Sequence, residues 1–283
     1  MFFAGISDEA GASIERQIAA HQALGWTRLE LRMIDGTNLT DVDDATFHHV
    51  VDAVEAAGMT VCSFASQLAN WSRKISGDFA IDREEMERAV PRMQRLGTKF
   101  IRCMSYPNDG MADEAWRDEA VRRLRILAKM AEDGGVMLLH ENCNGWGGES
   151  PANTMELLAR VDNPAFRLVY DTGNPFTHKQ NAYAYLETVI DFVDHVHIKD
   201  GYLDGEKNVF TYPGEGSCRV GDCLKLLIEH DYDGGYSIEP HIASIIHTGD
   251  MGGEEREQVK YDSYLEYGRK LMALYATAAG AKV

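Results

Sequence analysis

Four times in the first half of the chain the same order recurs: an amphipathic stretch, a glycine, then a short apolar run. Gly25, Gly58, Gly97 and Gly134 each follow a helical pattern and precede a strand-like segment. A helix that stops and turns back needs a left-handed residue at its C-cap, and glycine takes that conformation without a Cβ clash. The candidate strands are Phe2–Ile6, Arg28–Arg32, Thr60–Ala65, Lys99–Met104, Val136–Asn142, Arg167–Asp171, His195–Lys199 and Tyr236–Glu239. Between them, Val121, Leu124, Leu127 and Ala128 fall at helical spacing, as do Ala182, Tyr185, Leu186 and Val189. Strand–helix alternation implies parallel strands joined by crossover helices. Eight such repeats in about 250 residues match the size of a closed barrel. An open doubly wound sheet would carry a glycine-rich phosphate loop after its first strand. Here that turn reads Ser7-Asp8-Glu9-Ala10-Gly11. The expectation is an α/β chain forming a (β/α)8 TIM barrel, one domain over residues 1–283, with a closing helix from Glu254 to Ala278.

The totals narrow the partners. Twenty-eight basic residues against 45 acidic ones give a net charge of −17. Such a surface repels phosphate backbones and anionic membranes, which argues against nucleic acid as a partner. No apolar stretch approaches the roughly 20 residues that span a bilayer. The five cysteines form no C-x-x-C pair. Without an export signal they read as reduced thiols of a cytoplasmic protein.

In a barrel of this kind the active site lies at the C-terminal ends of the strands. The last four strands end on polar residues: His140-Glu141-Asn142, Tyr170-Asp171, His197-Ile198-Lys199-Asp200 and Glu239-Pro240-His241. Glu141, Asp171, His197 and Glu239 thus sit one βα repeat apart, at spacings of 30, 26 and 42 residues. Three carboxylates at one mouth repel one another unless protons, lysines or a cation neutralise them. Three oxygen donors and an imidazole suit one divalent ion, Mn²⁺ foremost, with Mg²⁺, Co²⁺ or Zn²⁺ as alternatives. Singly, each residue has an ordinary explanation: an aspartate before Thr-Gly is usually a turn residue, and a histidine on a strand usually a core one. Four in register make the signal.

Alternation refines the reading. If His197 points inward, so do His195, one layer deeper, and Lys199, at the mouth. If Glu141 points in, His140 points away unless the strand bulges, which leaves His140 as either a base or a packing residue. Two long segments follow strands and belong over the mouth: 66–82, with Trp71, and 201–220, with Pro213-Gly214-Glu215-Gly216. Trp71 and Trp146 are candidates to stack on a bound ligand, and Glu30, Arg32, Asn174, Lys199 and Glu215 are candidate ligand contacts.

On the motifs H-E-N (140–142), D-T-G-N (171–174), H-V-H-I-K-D (195–200), P-G-E-G (213–216) and I-E-P (238–240), the chain resembles the sugar isomerase/epimerase superfamily, the xylose isomerase-like TIM barrels. The resemblance implies a single divalent metal on Glu141, Asp171, His197 and Glu239, with the two glutamates also moving protons on opposite faces of a sugar or polyol. Ketose 3-epimerases carry a histidine where this chain has Asn174. The H-x-K-D form of strand seven is more similar to inosose dehydratases, and the H-E-N-C-N-G-W-G-G stretch resembles enzymes that cleave C-glycosides. DNA endonucleases of the same superfamily use extra histidines where this chain has Asn174, Ser66 and Ser105. The expected function is a metal-dependent sugar isomerase or epimerase, working through an enediolate with Glu141, Glu239 and His140 as catalytic candidates. The alternatives are a lyase or dehydratase of the same superfamily, or a non-catalytic sugar-binding subunit. A homo-oligomer is compatible with the exposed lids.

Overall fold

The computed structural model describes residues 1–242 and 253–280. Eight parallel strands form the barrel: β1 (Phe2–Gly5), β2 (Arg28–Leu31), β3 (Thr60–Phe64), β4 (Phe100–Ser105), β5 (Met137–Gly145), β6 (Phe166–Asp171), β7 (Val193–Ile198) and β8 (Gly235–Ile238). They follow one another around the ring in sequence order. β8 pairs with β1, and a parallel bridge from Ile6 to Glu30 closes β1 on β2. The helices α1 (Ile14–Ala23), α2 (Asp44–Ala56), α3 (Ala80–Leu96), α4 (Asp113–Gly134), α5 (Pro151–Val161), α6 (Ala182–Val189), α7 (Val220–Glu229) and α8 (Gly253–Ala278) surround them. The expected closed barrel is therefore the observed one.

Local chemistry sets the helix boundaries. Ser13, Asp43, Ser150 and Asn181 each accept a backbone N–H of the first turn, as N-caps do. Gly25, Gly58 and Gly97 have φ near +64 to +71°, as their positions predict. At the fourth repeat the left-handed residue is Gly135, not Gly134. Gly134 is the last residue of α4, and a side chain there has no room because α3 is close: a Cβ would press on Val90.

The apolar faces of these helices pack on the outside of the barrel. Leu124, Leu127 and Ala128 of α4 and Leu186 and Val189 of α6 are fully buried. Each such leucine contributes roughly 1.5–3 kcal/mol. The barrel interior is different. Glu30, His195, His197 and Ser237 are fully buried inside it. Strand register brings Asp171, His197 and Ser237 side by side on β6, β7 and β8.

Two small antiparallel hairpins sit above the barrel, Met33–Ile34 with Thr37–Asn38, and Asp200–Asp204 with Lys207–Thr211. Among the described residues no helix is long and apolar enough to cross a membrane.

Candidate metal centre

The strand ends converge. Glu141, Asp171, His197 and Glu239 each offer a ligand atom, and these atoms all lie within 4.8 Å of one another. All four residues are buried. Asp171 ends β6, His197 stands one residue before the end of β7, and Glu141 lies midway along β5, at its last pair with β6; Glu239 follows β8, its N–H bonded to the Ile198 carbonyl. Asp171 is locked by its own turn, since its Oδ1 accepts the N–H groups of Gly173 and Asn174, each at 2.7 Å. Its Oδ2 is left facing the cluster.

His197 defines the centre. Its Nε2 lies 3.0 Å from Glu30 Oε1, and its Nδ1 lies 3.1 Å from Glu141 Oε1 and 3.8 Å from Glu239 Oε2. With the Nε2 proton on Glu30, an imidazole lone pair faces two carboxylate oxygens. That arrangement requires a positive charge between them, a proton or a metal ion. The donor set of three carboxylates and one imidazole fits a divalent cation of the hard to borderline kind.

The electrostatics agree. Burial opposes the charge of Glu141, but Arg102 and the His197 hydrogen bond outweigh it and hold the carboxyl below its ordinary range. Burial likewise opposes Glu239, and Lys199, His241 and His197 hold it well below that range. Burial raises Asp171 to about 6; Lys199 pulls it back, while Glu239 and Glu141 add to the rise. Arg102, Lys199, His197 and His241 thus offset the charge of Glu141 and Glu239, and Asp171 is the weakest acid of the three.

Lys199 stands at the mouth as alternation predicts. Its Nζ is 3.0 Å from Asp171 Oδ2, 2.8 Å from Glu239 Oε2 and 3.1 Å from Asn174 Oδ1. Asn174 joins the site and donates to Glu141 Oε1 at 3.3 Å. His195 lies one layer deeper, its Nε2 within 3.0 Å of both Glu30 Oε2 and Ser237 Oγ. Arg32 reaches the mouth, with Nη1 3.5 Å from Glu239 Oε1 and Nη2 2.9 Å from Asp8. Trp71 is 66 % exposed and lines the cavity over the centre.

Four expected residues lie elsewhere. Glu30 is not at the mouth: it is buried under His197, bridging both strand-seven histidines, because β2 carries a register shift between Leu29 and Glu30. His140 points out of the barrel against Phe166 and Gly147, and neither ring nitrogen has a hydrogen-bond partner. Burial lowers its pKa to about 4. Trp146 is buried in the core, in the tight turn after β5, rather than open to a sugar. There Gly145 adopts φ +101°, and a Cβ on it would run into the Ser105 carbonyl. Glu215 turns outward to Lys270 of α8. Its glycine neighbours do the inward work: the Asp200 carboxylate accepts the N–H groups of Gly201, Gly214, Gly216 and Cys218.

The strand ends did not announce Arg102, Asn38 or Asn70 beside the centre, and they showed His241 without giving it a role. Arg102 stands in mid-strand, its Nη1 3.3 Å from Glu141 Oε2. An arginine inside the apolar run Phe100-Ile101-Arg102-Cys103-Met104 was its sequence signal. His241 Nδ1 pairs with Glu9 at 2.9 Å, and its Nε2 lies 3.5 Å from Glu239. Asn38 and Asn70 come from loops whose path no periodicity gives. A cavity of about 310 Å³ opens onto Glu141, Glu239 and Lys199 and is walled by these residues with Trp71 and Met104. A larger cavity, about 600 Å³, lies at the barrel's other end around Phe2, Arg28 and Phe100. No cluster of metal-competent side chains among the described residues lines it, so chemistry and not size marks the site.

The comparisons with known proteins meet this geometry. An inosose dehydratase from Bacillus velezensis is 28% identical over 143 residues, 45% of this chain and 48% of that protein. The chain thus spans about half the length of the curated inosose dehydratases it matches. A 2-epi-5-epi-valiolone 7-phosphate 2-epimerase from Actinoplanes sp. is 25% identical over 193 residues, 64% of this chain and 69% of the other. The crystal structure of D-allulose 3-epimerase from Methylomonas sp., in complex with D-allulose, superposes with a TM-score of 0.73 over 97% of both chains at 18% identity. That likeness carries the fold. The family model described as xylose isomerase-like TIM barrel matches residues 18–263. With that match over most of its length, the chain belongs to the xylose isomerase-like TIM barrel family.

Proposed function

We propose that the protein is a divalent-metal-dependent enzyme that removes a proton next to the carbonyl of a keto-sugar or related polyol. The observation that carries this reading is the buried convergence of Glu141, Asp171, His197 and Glu239 beside an open cavity. Those four residues would hold the ion. When bound, it supplies Lewis-acid polarisation of the substrate carbonyl.

The residues do the rest. Glu239 takes the proton from the carbon beside the carbonyl, and the C–H electron pair moves into the new C=C of an enediolate. Glu141, on the other side of the centre, takes up a solvent proton and delivers it to the opposite face or to the neighbouring carbon, giving an epimer or an isomer, and Glu239 releases its own proton to solvent. Lys199 and Arg102 hold both carboxylates ionised near neutral pH by their charge. Trp71 covers the open side and offers its ring to a sugar face.

A second reading is dehydration, favoured by Lys199. Its ammonium lies between Asp171 and Glu239, where it can protonate a β-hydroxyl as that group leaves as water; an inosose dehydratase is among the relatives. Both readings share the first proton abstraction.

The test is a panel of ketoses and keto-inositols in D₂O with added Mn²⁺, followed by NMR. Deuterium uptake with retained hydroxyls marks the isomerase or epimerase; loss of water marks the dehydratase. Glu239→Gln is expected to slow exchange by about 10²–10⁴-fold. Full turnover in that variant, or a chelated protein that takes up no ion on titration, overturns the proposal.

A further inference from the structure

Three of the residues that line the cavity, Asn38, Asn70 and Arg102, bring hydrogen-bond donors to it. Asn38 is buried, and its Oδ1 accepts both the N–H and the hydroxyl of Thr40, at 3.0 and 2.7 Å. A backbone N–H can only donate, so the amide orientation is settled and Nδ2 is the free end. That Nδ2 is buried and has no partner. Asn70 repeats the device: its Oδ1 accepts the N–H and hydroxyl of Ser72, at 3.0 and 2.7 Å, which turns its amide nitrogen to the other side. Arg102 is 6 % exposed; Nη1 faces Glu141 and Nη2 donates to the Ser66 carbonyl, while Nε is buried without a partner. All three residues line the same cavity as Glu141, Glu239 and Lys199.

Orphaned buried donors are costly, more so when charged, so a ligand that supplies acceptors recovers that cost on binding. A neutral sugar hydroxyl can accept from these donors, but an anionic oxygen accepts more strongly. An acceptor-only oxyanion matches a wall of donors, and a guanidinium among them favours negative charge.

We propose that Asn38, Asn70 and Arg102 form an oxyanion subsite, and that the substrate is a keto-sugar or keto-cyclitol carrying an acidic substituent, a carboxylate or a phosphate ester. The inference rests on the reading of the metal centre as the reacting end. The Asn38 and Asn70 side chains are fixed before the ligand arrives, because the backbone N–H groups of Thr40 and Ser72 hold their amide oxygens. The subsite therefore binds without the entropy loss of ordering loose side chains.

Calorimetric titration of the Mn²⁺-supplemented protein with three ring probes tests it: quinate for the carboxylate, myo-inositol 1-phosphate for the phosphate and myo-inositol as the neutral control. At least one acid is expected to bind tenfold or more tightly than myo-inositol, and which acid it is identifies the substituent. Asn38→Asp keeps the acceptor for Thr40 but replaces the donor with a charge of the ligand's own sign, so it should erase the preference in a folded protein. Arg102→Met should do the same. Equal binding of all three probes, no binding of either acid at millimolar concentration, or an intact preference in Asn38→Asp overturns the subsite. Deuterium exchange on neutral keto-inositol reports on the metal centre separately. Exchange without acid preference removes the subsite alone; acid preference without exchange on any substrate removes the metal chemistry alone.

Discussion

His197 has one nitrogen on Glu30 and the other toward Glu141 and Glu239. The carboxylate behind it sets which nitrogen carries the proton, and so which lone pair is available to an ion. Glu30→Gln would put an amide in that place, able to accept from only one of the two histidines. Mn²⁺ affinity is expected to fall about 10–100-fold, with the far-UV circular dichroism unchanged, as supporting residues of metal ligands typically show. An unaltered titration would mean that Glu30 is no more than a buried packing group. The ligand candidates could be read from the sequence because each stands at or near the end of an expected strand, where alternation and fold class together give direction and depth. Glu30 could not: its inward direction follows from alternation, but its depth follows from the stagger of β2 against its neighbours.

Between residues and the molecule stand the loops, and here Asp200 is the organising group. Buried next to Lys199, it draws in four backbone N–H groups of the Gly201–Cys218 segment. The lysine main chain is pinned from the other side, where Thr172 Oγ1 donates to the Lys199 carbonyl at 2.6 Å. Lys-Asp thus works as a pair, one side chain for the centre and one for the loop above it. Asp200→Ala leaves four donors without their charged acceptor and should destabilise the fold by at least ~2 kcal/mol. The urea midpoint should drop, and proteolysis should cut first within 201–218. A midpoint equal to that of the parent protein would show the loop to be held by its other contacts. The motif P-G-E-G pointed to this loop, but it drew attention to Glu215, whose side chain faces Lys270. Hydrogen bonding to its glycine neighbours is invisible to a motif.

At the scale of the whole molecule, acid is the expected weak point. Burial lowers His21 and His140 from 6.5 to about 4, so both are neutral in the folded protein near neutral pH. Below pH 6.5 the unfolded chain binds protons that the folded chain refuses until about pH 4. The unfolded state then binds more protons, so stability falls as pH drops through that window, by up to about 3 kcal/mol per histidine. Urea unfolding in EDTA between pH 4 and 7.5 should show this slope. His140→Phe should flatten it by one proton, since neither ring nitrogen has a partner to lose. An unchanged slope would mean that His140 does not stay neutral inside the fold.

The sequence by itself determined the barrel, because eight alternations of β-run and amphipathic helix, broken by C-cap glycines, leave few ways to bury every apolar face. It also determined which four side chains meet, since closing a parallel barrel brings all strand ends to one rim. The tertiary structure alone decided what surrounds them. Arg102 and Asn38 enter the cavity, and Trp146 leaves it, through strand stagger, a bulge and loop paths. Those depend on contacts between residues far apart in the chain, which no local periodicity encodes.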